Sequence, residues 1–267
     1  MHIVVCVKQI PDPEAAFSML RVDEGSKQVI PASGLALVMS PFDEQAVEAA
    51  LRLRENLGEG KISAITFGPD SARNTLKHAL AMGADEALLV NDDAAKDASS
   101  EVTALALSHA IMQLDKVDLV LTGRQAADWD AGVVGCGIAE LLQLPVITFA
   151  RKVEISNGNV RVERVLADGF ETVEAELPAV VTVSNEIGPA RKASLRETMR
   201  ATRKPFRVCT FSDLGLDPEE VACVAARRVR ERLYVPINGV RCELISGADE
   251  NAQARILGEC LRADRLI

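Results

Sequence analysis

The stretch 123–134 has the residue types of a loop that binds phosphate groups. It follows a short apolar run at 119–121, and from about Gly132 small and apolar residues recur at helical spacing. Backbone N–H groups are free at such a helix start, and the helix dipole also favours negative charge there. Gly132 and Gly135 lack side chains, so phosphates could approach the backbone closely. The pattern indicates a phosphate site at this strand-to-helix turn, with an ordinary turn of an α/β sheet as the alternative.

Charged and aromatic side chains in the same loop would take part in binding. Arg124 offers a charged fork for an anion, and Asp128 or Asp130 would cap the following helix. Trp129, the one tryptophan of the chain, would either cover a base or flavin ring or pack the loop. Neither a GxGxxG nor a GK[ST] signature accompanies these residues, so the loop alone does not identify the ligand.

Composition narrows the class of protein before any motif does. The chain has 267 residues, enough for one large domain or for one domain with an appendage. Its net charge of -9 argues against nucleic acid as the main partner. Six cysteines without CxxC spacing predict neither a disulfide framework nor a zinc site, and no metal site is expected. Because there is no signal-like start and no apolar run of roughly 20 residues, we expect a cytoplasmic protein without membrane insertion.

The first half of the chain alternates predicted strands with predicted helices. Buried strands are expected at 3–7, 61–67, 86–90, 119–121 and 145–149, and helices at about 41–58, 71–82, 102–114 and 132–142. This alternation predicts an α/β fold with a mostly parallel, doubly wound sheet. Ligands bind such sheets beyond the carboxyl ends of the strands. That rule places the loops 7–11, 67–69 and 123–134 on one rim, where the helix start at Ser40 could join them.

The second half of the chain follows a different pattern. Between 152 and 176 apolar residues alternate around Asn157-Gly158, a strong hairpin signal, so an antiparallel hairpin at about 150–176 would extend the sheet. A buried strand returns at 178–183, and 185–195 should lie exposed. The basic segment 196–204 is either a solvated helix or a docking segment. From Phe206 onward we predict an extended arm ending in a helix at about 249–261, which divides the chain into 1–205 and 206–267.

Five motifs occur in a fixed order along nearly the whole chain. They are Val5-Cys-Val-Lys-Gln-Ile-Pro-Asp12, Pro41-Phe-Asp-Glu44, Ala79-Leu-Ala-Met-Gly-Ala-Asp85, Gly123-Arg-Gln-Ala126 with Asp128 and Asp130, and Leu177-Pro-Ala-Val-Val-Thr-Val183. Together they resemble the beta subunit of electron transfer flavoproteins, the FixA family. The resemblance implies a fold like that of the adenine nucleotide alpha hydrolases.

The same resemblance implies a function and its partners. The chain would pair with an electron transfer flavoprotein alpha subunit in a soluble heterodimer, with FAD at the site shared with that subunit. Such dimers accept electrons from flavin dehydrogenases, notably acyl-CoA dehydrogenases, and pass them to a quinone reductase or another acceptor. The beta subunit would carry electrons without substrate turnover of its own, although flavin-based bifurcation with partners stays open. Its arm, 206–267, would pack on the alpha subunit.

The resemblance also implies which residues bind a nucleotide, either AMP or a second FAD. By motif match they are Cys6, Ser40, Pro41, Phe42, Asp43, Phe67, Gly123, Arg124, Gln125, Ala126, Ala127, Asp128, Trp129, Asp130, Ala131, Gly132, Val133 and Val134. The N–H groups around residues 131–134 would hold the phosphates. Within a recognition loop at about 184–200, Leu195 would anchor the dehydrogenase. The run 123–125 resembles the bifurcating branch and 41–43 the AMP-bearing one, so the identity of the nucleotide stays open.

Two other classes of protein share parts of this pattern. A nucleotide-binding regulatory or stress-type module would have the same α/β architecture. An ATP-dependent enzyme is disfavoured because no Walker or pyrophosphatase-like motif is visible. The three histidines, His2, His78 and His109, are scattered and form no Ser/His/Asp or Cys/His set, so no catalytic residue is predicted.

Overall fold

The computed structural model describes residues 1–93, 98–236 and 242–267. Contacts divide the chain into two compact units. The first comprises Met1–Arg21 and Val29–Glu231, and the second comprises Val22–Gln28 and Arg232–Ile267. Residues 94–97 of the predicted first domain and 237–241 of the predicted arm lie outside the described residues.

The described residues form an α/β fold, as predicted. The strands are β1 His2–Cys6, β2 Gln9–Pro11, β3 Leu20–Asp23, β4 Gln28–Pro31, β5 Leu37–Met39, β6 Lys61–Phe67, β7 Glu86–Val90, β8 Leu119–Gly123, β9 Val146–Ser156, β10 Asn159–Leu166, β11 Gly169–Glu176, β12 Ala179–Val183 and β13 Phe206–Cys209. The helices are α1 Pro41–Leu57, α2 Arg73–Met82, α3 Ser100–Met112, α4 Val134–Leu142, α5 Leu195–Ala201, α6 Pro218–Ala225 and α7 Glu250–Ala263.

One nine-stranded sheet organises the first unit, in the order β11-β10-β9-β12-β8-β1-β6-β7-β13. From β9 to β13 neighbouring strands are parallel, whereas β10 and β11 add to β9 as antiparallel strands. Every residue of β1 and β12 is buried. Their mostly apolar runs are typical of parallel strands that are covered on both faces.

Helices cover both faces of the sheet, which confirms the doubly wound prediction. Ile3 and Val5 of β1 face the core formed with α1 and α2, whereas Val4 and Cys6 face the core formed with α3, α4 and α6. Alternate residues of one strand thus serve two separate cores, because successive side chains of a strand point to opposite faces. The carboxyl ends of the parallel strands all lie at one edge.

Helix α1 begins and ends where the sequence predicts. Pro41 occupies the first turn, Asp43 and Glu44 favour the positive end of the dipole, and Gly58 ends the helix in the left-handed conformation at φ 77°. Ser40 stands at the N-cap position, but its side chain makes no cap hydrogen bond. Its hydroxyl oxygen instead accepts from the Ala127 N–H at 3.4 Å.

The hairpin at Asn157-Gly158 is confirmed. Both residues have positive φ, 53° and 79°, as a tight two-residue turn requires. One detail of the prediction is wrong: the strand expected at 145–149 and the first strand of the hairpin are a single strand, β9. It stays continuous through Phe149, where a register shift against β12 between Val181 and Val183 accommodates the extra residue.

The first unit extends well beyond the predicted boundary at 205/206. β13 pairs in parallel with β7, and Phe211, Leu214 and Leu216 are buried against the α3 side of the sheet. Because β13 has only four residues, its apolar pattern gave no distinct strand signal.

The second unit contains the predicted terminal helix. Asp249 occupies the N-cap position of α7, and its carboxylate accepts from the Ala252 N–H at 2.8 Å. The helix therefore starts where the sequence predicts.

None of the helices within residues 1–93, 98–236 and 242–267 could span a membrane. The same residues contain no group of three or more His, Cys, Asp or Glu side chains arranged to hold a metal ion.

Candidate functional site

The buried carboxylate of Asp43 joins two strand ends at the carboxyl rim of the sheet. Its Oδ2 accepts from the Lys8 N–H at 2.8 Å, just beyond β1, and its Oδ1 accepts from the Gly123 N–H at 3.1 Å, at the end of β8. Because Asp43 lies in the first turn of α1, this helix start and two of the predicted rim loops are fixed to one another. The structure thereby brings Ser40, Asp43 and Gly123 together.

Gly123 is a position at which only a hydrogen fits. A Cβ there would lie 2.5 Å from Asp43 Oδ1, 2.7 Å from Phe42 Cβ and 2.9 Å from the Phe42 carbonyl carbon. The Phe42 carbonyl carbon belongs to the backbone of α1, and the Phe42 Cβ is bonded directly to that backbone. Neither atom can rotate away. The glycine therefore allows β8 to end directly against the start of α1.

Burial dominates the electrostatics of this junction. It raises the pKa of Asp43 to about 7, against the lowering effect of the N–H groups of Lys8 and Gly123. Burial and, to a smaller extent, the Asp43 charge also raise the pKa of the Cys6 thiol far above its usual range. Cys6 therefore stays protonated and contributes bulk to the core rather than a nucleophile.

The loop after Gly123 folds back on itself through its own side chains. Gln125 Nε2 donates to Asp130 Oδ1 at 2.7 Å, and the Asp130 N–H donates to the Ala126 carbonyl at 3.0 Å. Lys8 Nζ binds both carboxylate oxygens of Asp128, at 2.9 and 2.6 Å. The expectation that Asp128 or Asp130 caps α4 is therefore wrong, because Lys8 and Gln125 already engage these two carboxylates.

Helix α4 begins at Val134, two residues later than the sequence suggested, and no side chain caps it. Val133 occupies the N-cap position and has no acceptor to offer. Gly132, at φ 65°, is exposed, and the three atoms nearest to the position that a Cβ would take, at 3.4 to 4.0 Å, belong to Arg124, Asp130 and Gln125 and not to Trp129. The backbone before α4 is thus accessible where the sequence predicts phosphate groups.

Gly135 has a different role from the one that the sequence suggested. A Cβ on Gly135 would lie 2.7 Å from Thr122 Oγ1 and 2.8 Å from Thr182 Cγ2. The missing side chain lets α4 pack directly on β8 and β12. Helix packing, rather than close approach of a ligand, accounts for this glycine.

Arg124 projects from the end of β8 between two aromatic rings. Its guanidinium carbon lies 4.9 Å from the centre of the Phe42 ring and 5.7 Å from that of Phe149. The buried Nε of Arg124 has no hydrogen-bond partner within the described ranges. The pKa of Glu186 is held below its ordinary value by the Ser184 hydroxyl and, to a smaller extent, by the Arg124 charge. Arg124 is thus a cation with unused donor capacity at the rim.

Two of the predicted binding residues make contacts outside this cluster. Trp129 is half exposed, and the Arg230 guanidinium carbon lies 5.3 Å from the centre of its ring. Phe67 ends β6 and packs its ring against Phe211 at 5.3 Å. Both rings therefore have protein partners of their own.

Sequence reasoning missed Phe149 and Lys8 as members of this cluster. Lys8 belongs to the first motif. Its ion pair with Asp128 could have been predicted, because the loops 7–11 and 123–134 were both expected on one rim. Phe149 gave no signal, because a bulky residue at φ 59° inside a strand is an exception that no residue pattern indicates.

The predicted docking residue Leu195 lies at the start of α5 and is 80% exposed. A capping box fixes this helix start: Glu197 N–H donates to Ser194 Oγ at 3.3 Å, and Ser194 N–H donates to Glu197 Oε2 at 2.7 Å. Met199, one turn further along, is 67% exposed. The helix thus presents two large apolar side chains to solvent.

Ion pairs hold the segment before α5 against α1. Arg191 Nε binds Glu48 Oε2 at 2.7 Å, and Arg191 Nη1 binds Glu55 Oε1 at 2.6 Å. Arg52 donates to the carbonyls of Ile187 and Pro189 at 2.9 and 3.0 Å. Burial alone would raise the pKa of Glu48, but the hydrogen bonds from Arg191 and Arg52 outweigh it and hold that pKa below its ordinary value. The segment that precedes Leu195 is therefore fixed to α1, the helix that begins at the rim.

Comparisons with known proteins agree on one family. A model of the electron transfer flavoprotein domain matches residues 29–214. The chain is 40% identical to the electron transfer flavoprotein subunit beta of Thermoanaerobacterium thermosaccharolyticum, over 83% of each chain. It is 34% identical to the caffeyl-CoA reductase-Etf complex subunit CarD of Acetobacterium woodii over the full length of both, and 31% identical to protein FixA of Bradyrhizobium diazoefficiens over 96% of this chain and 90% of that one. The chain belongs to the electron transfer flavoprotein family, among its beta subunits and FixA proteins.

Proposed function

We propose that this chain forms a heterodimer with an electron transfer flavoprotein alpha subunit and carries electrons from flavin dehydrogenases to a quinone reductase or another acceptor. In this proposal FAD lies at the site shared with the alpha subunit, and the beta subunit holds AMP or a second FAD at its own rim. The observation that supports the nucleotide site is Arg124, a cation whose buried Nε has no partner in the described part of the chain and which opens the loop leading to the uncapped start of α4. Family membership supports the rest.

The residues at the rim fit the anionic part of an adenine nucleotide. The N–H groups around residues 131–134 precede and open α4, and the dipole of this helix favours negative charge there. Gly132 leaves the backbone accessible, and Arg124 supplies a guanidinium. Ser40, Asp43 and Gly123 would hold the surrounding loops in place. By the family resemblance we assign the remaining predicted residues of 123–134, with Cys6, Pro41, Phe42 and Phe67, to the walls of this pocket, although the rings of Trp129 and Phe67 also contact Arg230 and Phe211.

FAD, when bound, supplies the one- and two-electron chemistry that protein side chains lack. The residues of this chain would bind and orient the nucleotides and set the distance between electron donor and acceptor. Nothing in this role requires a nucleophile or a general base. The Cys6 thiol, which stays protonated and is no nucleophile, is consistent with this role.

We also propose that the surface around Leu195 docks the flavin dehydrogenase. An exposed apolar anchor suits a transient encounter, which requires fast release more than a large buried area. The second unit would contact the alpha subunit. Support comes from Leu244, which is 85% exposed, and from α7, which buries none of its residues.

The experiment is reduction of the purified heterodimer by an acyl-CoA dehydrogenase and its substrate. We expect a yellow heterodimer that is reduced under these conditions, and we expect Leu195→Ala to slow the reduction about tenfold, because an anchor that fills an apolar pocket contributes on the order of 1–2 kcal/mol. Nucleotide content should not change. Stopped-flow absorbance measures the rate.

Met112→Ala is the matched control, since Met112 is also a large apolar side chain exposed to solvent, at the end of α3. It should leave the rate unchanged. A colourless chain that forms a homodimer would contradict the proposed function. A normal rate in Leu195→Ala would contradict only the docking surface.

A further inference from the structure

Phe149 holds a backbone conformation that a bulky residue rarely adopts. Its φ is 59°, in the left-handed region, although it lies within β9. The conformation is fixed by two hydrogen bonds at the bulge: the Phe149 N–H donates to Thr182 Oγ1 at 3.1 Å, and the Ser184 N–H donates to the Ala150 carbonyl at 2.8 Å. Strained residues that the surrounding structure maintains occur preferentially at functional sites.

The strained backbone places the Phe149 ring beside the Arg124 guanidinium. The ring centre lies 5.7 Å from the guanidinium carbon, and Phe42 contributes a second ring at 4.9 Å. Both distances are within the range of a cation–π interaction. A cation–π contact uses none of the guanidinium N–H groups, so these donors stay available for an anion.

The positive charge of Arg124 has no direct ion pair within the described residues. Its Nε is buried without a hydrogen-bond partner. The nearby carboxylate of Glu186 accepts instead from the Ser184 hydroxyl. A buried donor that stays unpaired is costly, so an arginine held in this manner is suited to an anionic ligand.

Thr182 connects this arginine cluster to the start of α4. Its hydroxyl accepts from the Phe149 N–H, and its methyl group would lie 2.8 Å from a Cβ on Gly135. The bulge of β9 and the first turn of α4 therefore touch the same side chain. The bulge therefore lies next to the side of α4 that packs on the sheet.

We propose that Phe149, together with Phe42, positions Arg124 to bind a phosphate group of the nucleotide held at the rim. Phe149 is thus a positioning residue and Arg124 a binding residue. The proposal rests on the proposed function, because it requires an adenine nucleotide in this pocket. It adds Phe149, which acts on the phosphate only through Arg124, so that a nucleoside without phosphate should not respond to its substitution.

The test compares AMP with adenosine by isothermal titration calorimetry on the heterodimer after its nucleotide has been removed. We expect Arg124→Gln to weaken AMP binding at least about tenfold, because a charge-assisted hydrogen bond is lost. Phe149→Leu should weaken AMP binding about three- to tenfold, the size of a cation–π contribution. Adenosine binding should change less than about twofold in both variants. The double variant should lose little more than Arg124→Gln alone, since Phe149 acts through Arg124.

Phe170→Leu is the control, because Phe170 stacks on Arg151 at 3.6 Å in the hairpin and has no place in the pocket. It should leave both affinities unchanged. Phe149→Gly, which tolerates the left-handed backbone, keeps the test valid if Phe149→Leu unfolds. Equal loss of AMP and adenosine binding, or no loss in Phe149→Leu and Phe149→Gly, would overturn the inference. A wild-type heterodimer that binds AMP or a second FAD normally in those cases would leave the proposed function standing, whereas one that binds neither nucleotide would overturn both.

Discussion

Gly123→Ala is expected to lower the free energy of unfolding by about 3 kcal/mol, because a methyl group is forced into a space that has no room for it. The added carbon would lie 2.5 Å from Asp43 Oδ1 and 2.9 Å from the Phe42 carbonyl carbon. Neither atom can retreat, because Asp43 is bound by the N–H groups of Lys8 and Gly123 and Phe42 belongs to the first turn of α1. Thermal unfolding should show a midpoint lowered by roughly 6–12 °C for a domain of this size.

Gly258→Ala provides the matched control. Gly258 lies within α7, and no atom is within 4 Å of the position that its Cβ would take. Alanine favours a helix over glycine, so this variant should be neutral or up to about 1 kcal/mol more stable. If Gly123→Ala unfolded at the wild-type temperature, the tight junction between β8 and α1 would be disproved.

Asp43→Asn is expected to change how stability depends on pH. The folded-state pKa of Asp43, about 7, is raised above its ordinary value of 3.8, so the folded protein binds this proton more tightly than the unfolded chain does. The stability that Asp43 contributes is fully present below pH 3.8 and is lost as pH rises through 7. The loss amounts to at most about 4 kcal/mol, at roughly 1.36 kcal/mol per pH unit.

Asparagine does not titrate, so the variant should lack this component. At about pH 5 it should be less stable by about 1–3 kcal/mol, because its amide nitrogen cannot accept from the N–H of Lys8 or Gly123. The deficit should shrink as pH rises toward about 8. Urea unfolding of both proteins at several pH values measures the difference between their free energies of unfolding. The contributions of the other carboxylates are the same in both proteins and cancel in this difference. Two curves that stay parallel between about pH 5 and 8 would disprove the raised pKa.

The elements that position the site follow from local chemistry and were predictable. Pro41, the acidic first turn and Gly58 define α1 without help from the rest of the chain. The Asn157-Gly158 turn and the flanking alternation define the hairpin in the same way. Parallel pairing of the strands of the main sheet then places their carboxyl ends on one rim. Sequence reasoning therefore identified the rim loops and the architecture.

What the sequence could not show depends on contacts between distant residues. The bulge at Phe149 is held by hydrogen bonds to Thr182 and Ala150; Thr182 lies in the motif 177–183, but nothing in that motif indicates a bulge in another strand. Asp130 resembles a helix cap, yet Gln125 competes for its carboxylate. The strand β13 has too few residues to show a period, and only its pairing with β7 reveals it. Tertiary partners decide each of these cases.

The most direct measurement identifies the nucleotides released when the heterodimer of this chain and its alpha subunit is denatured. Chromatography with absorbance detection separates AMP from FAD and quantifies both against protein. We expect an adenine nucleotide beyond the FAD of the shared site: one AMP, which would indicate simple electron transfer, or a second FAD, which would indicate bifurcation. A heterodimer that releases its shared FAD and no second adenine nucleotide would contradict a nucleotide site at the rim built by Asp43, Gly123 and Arg124.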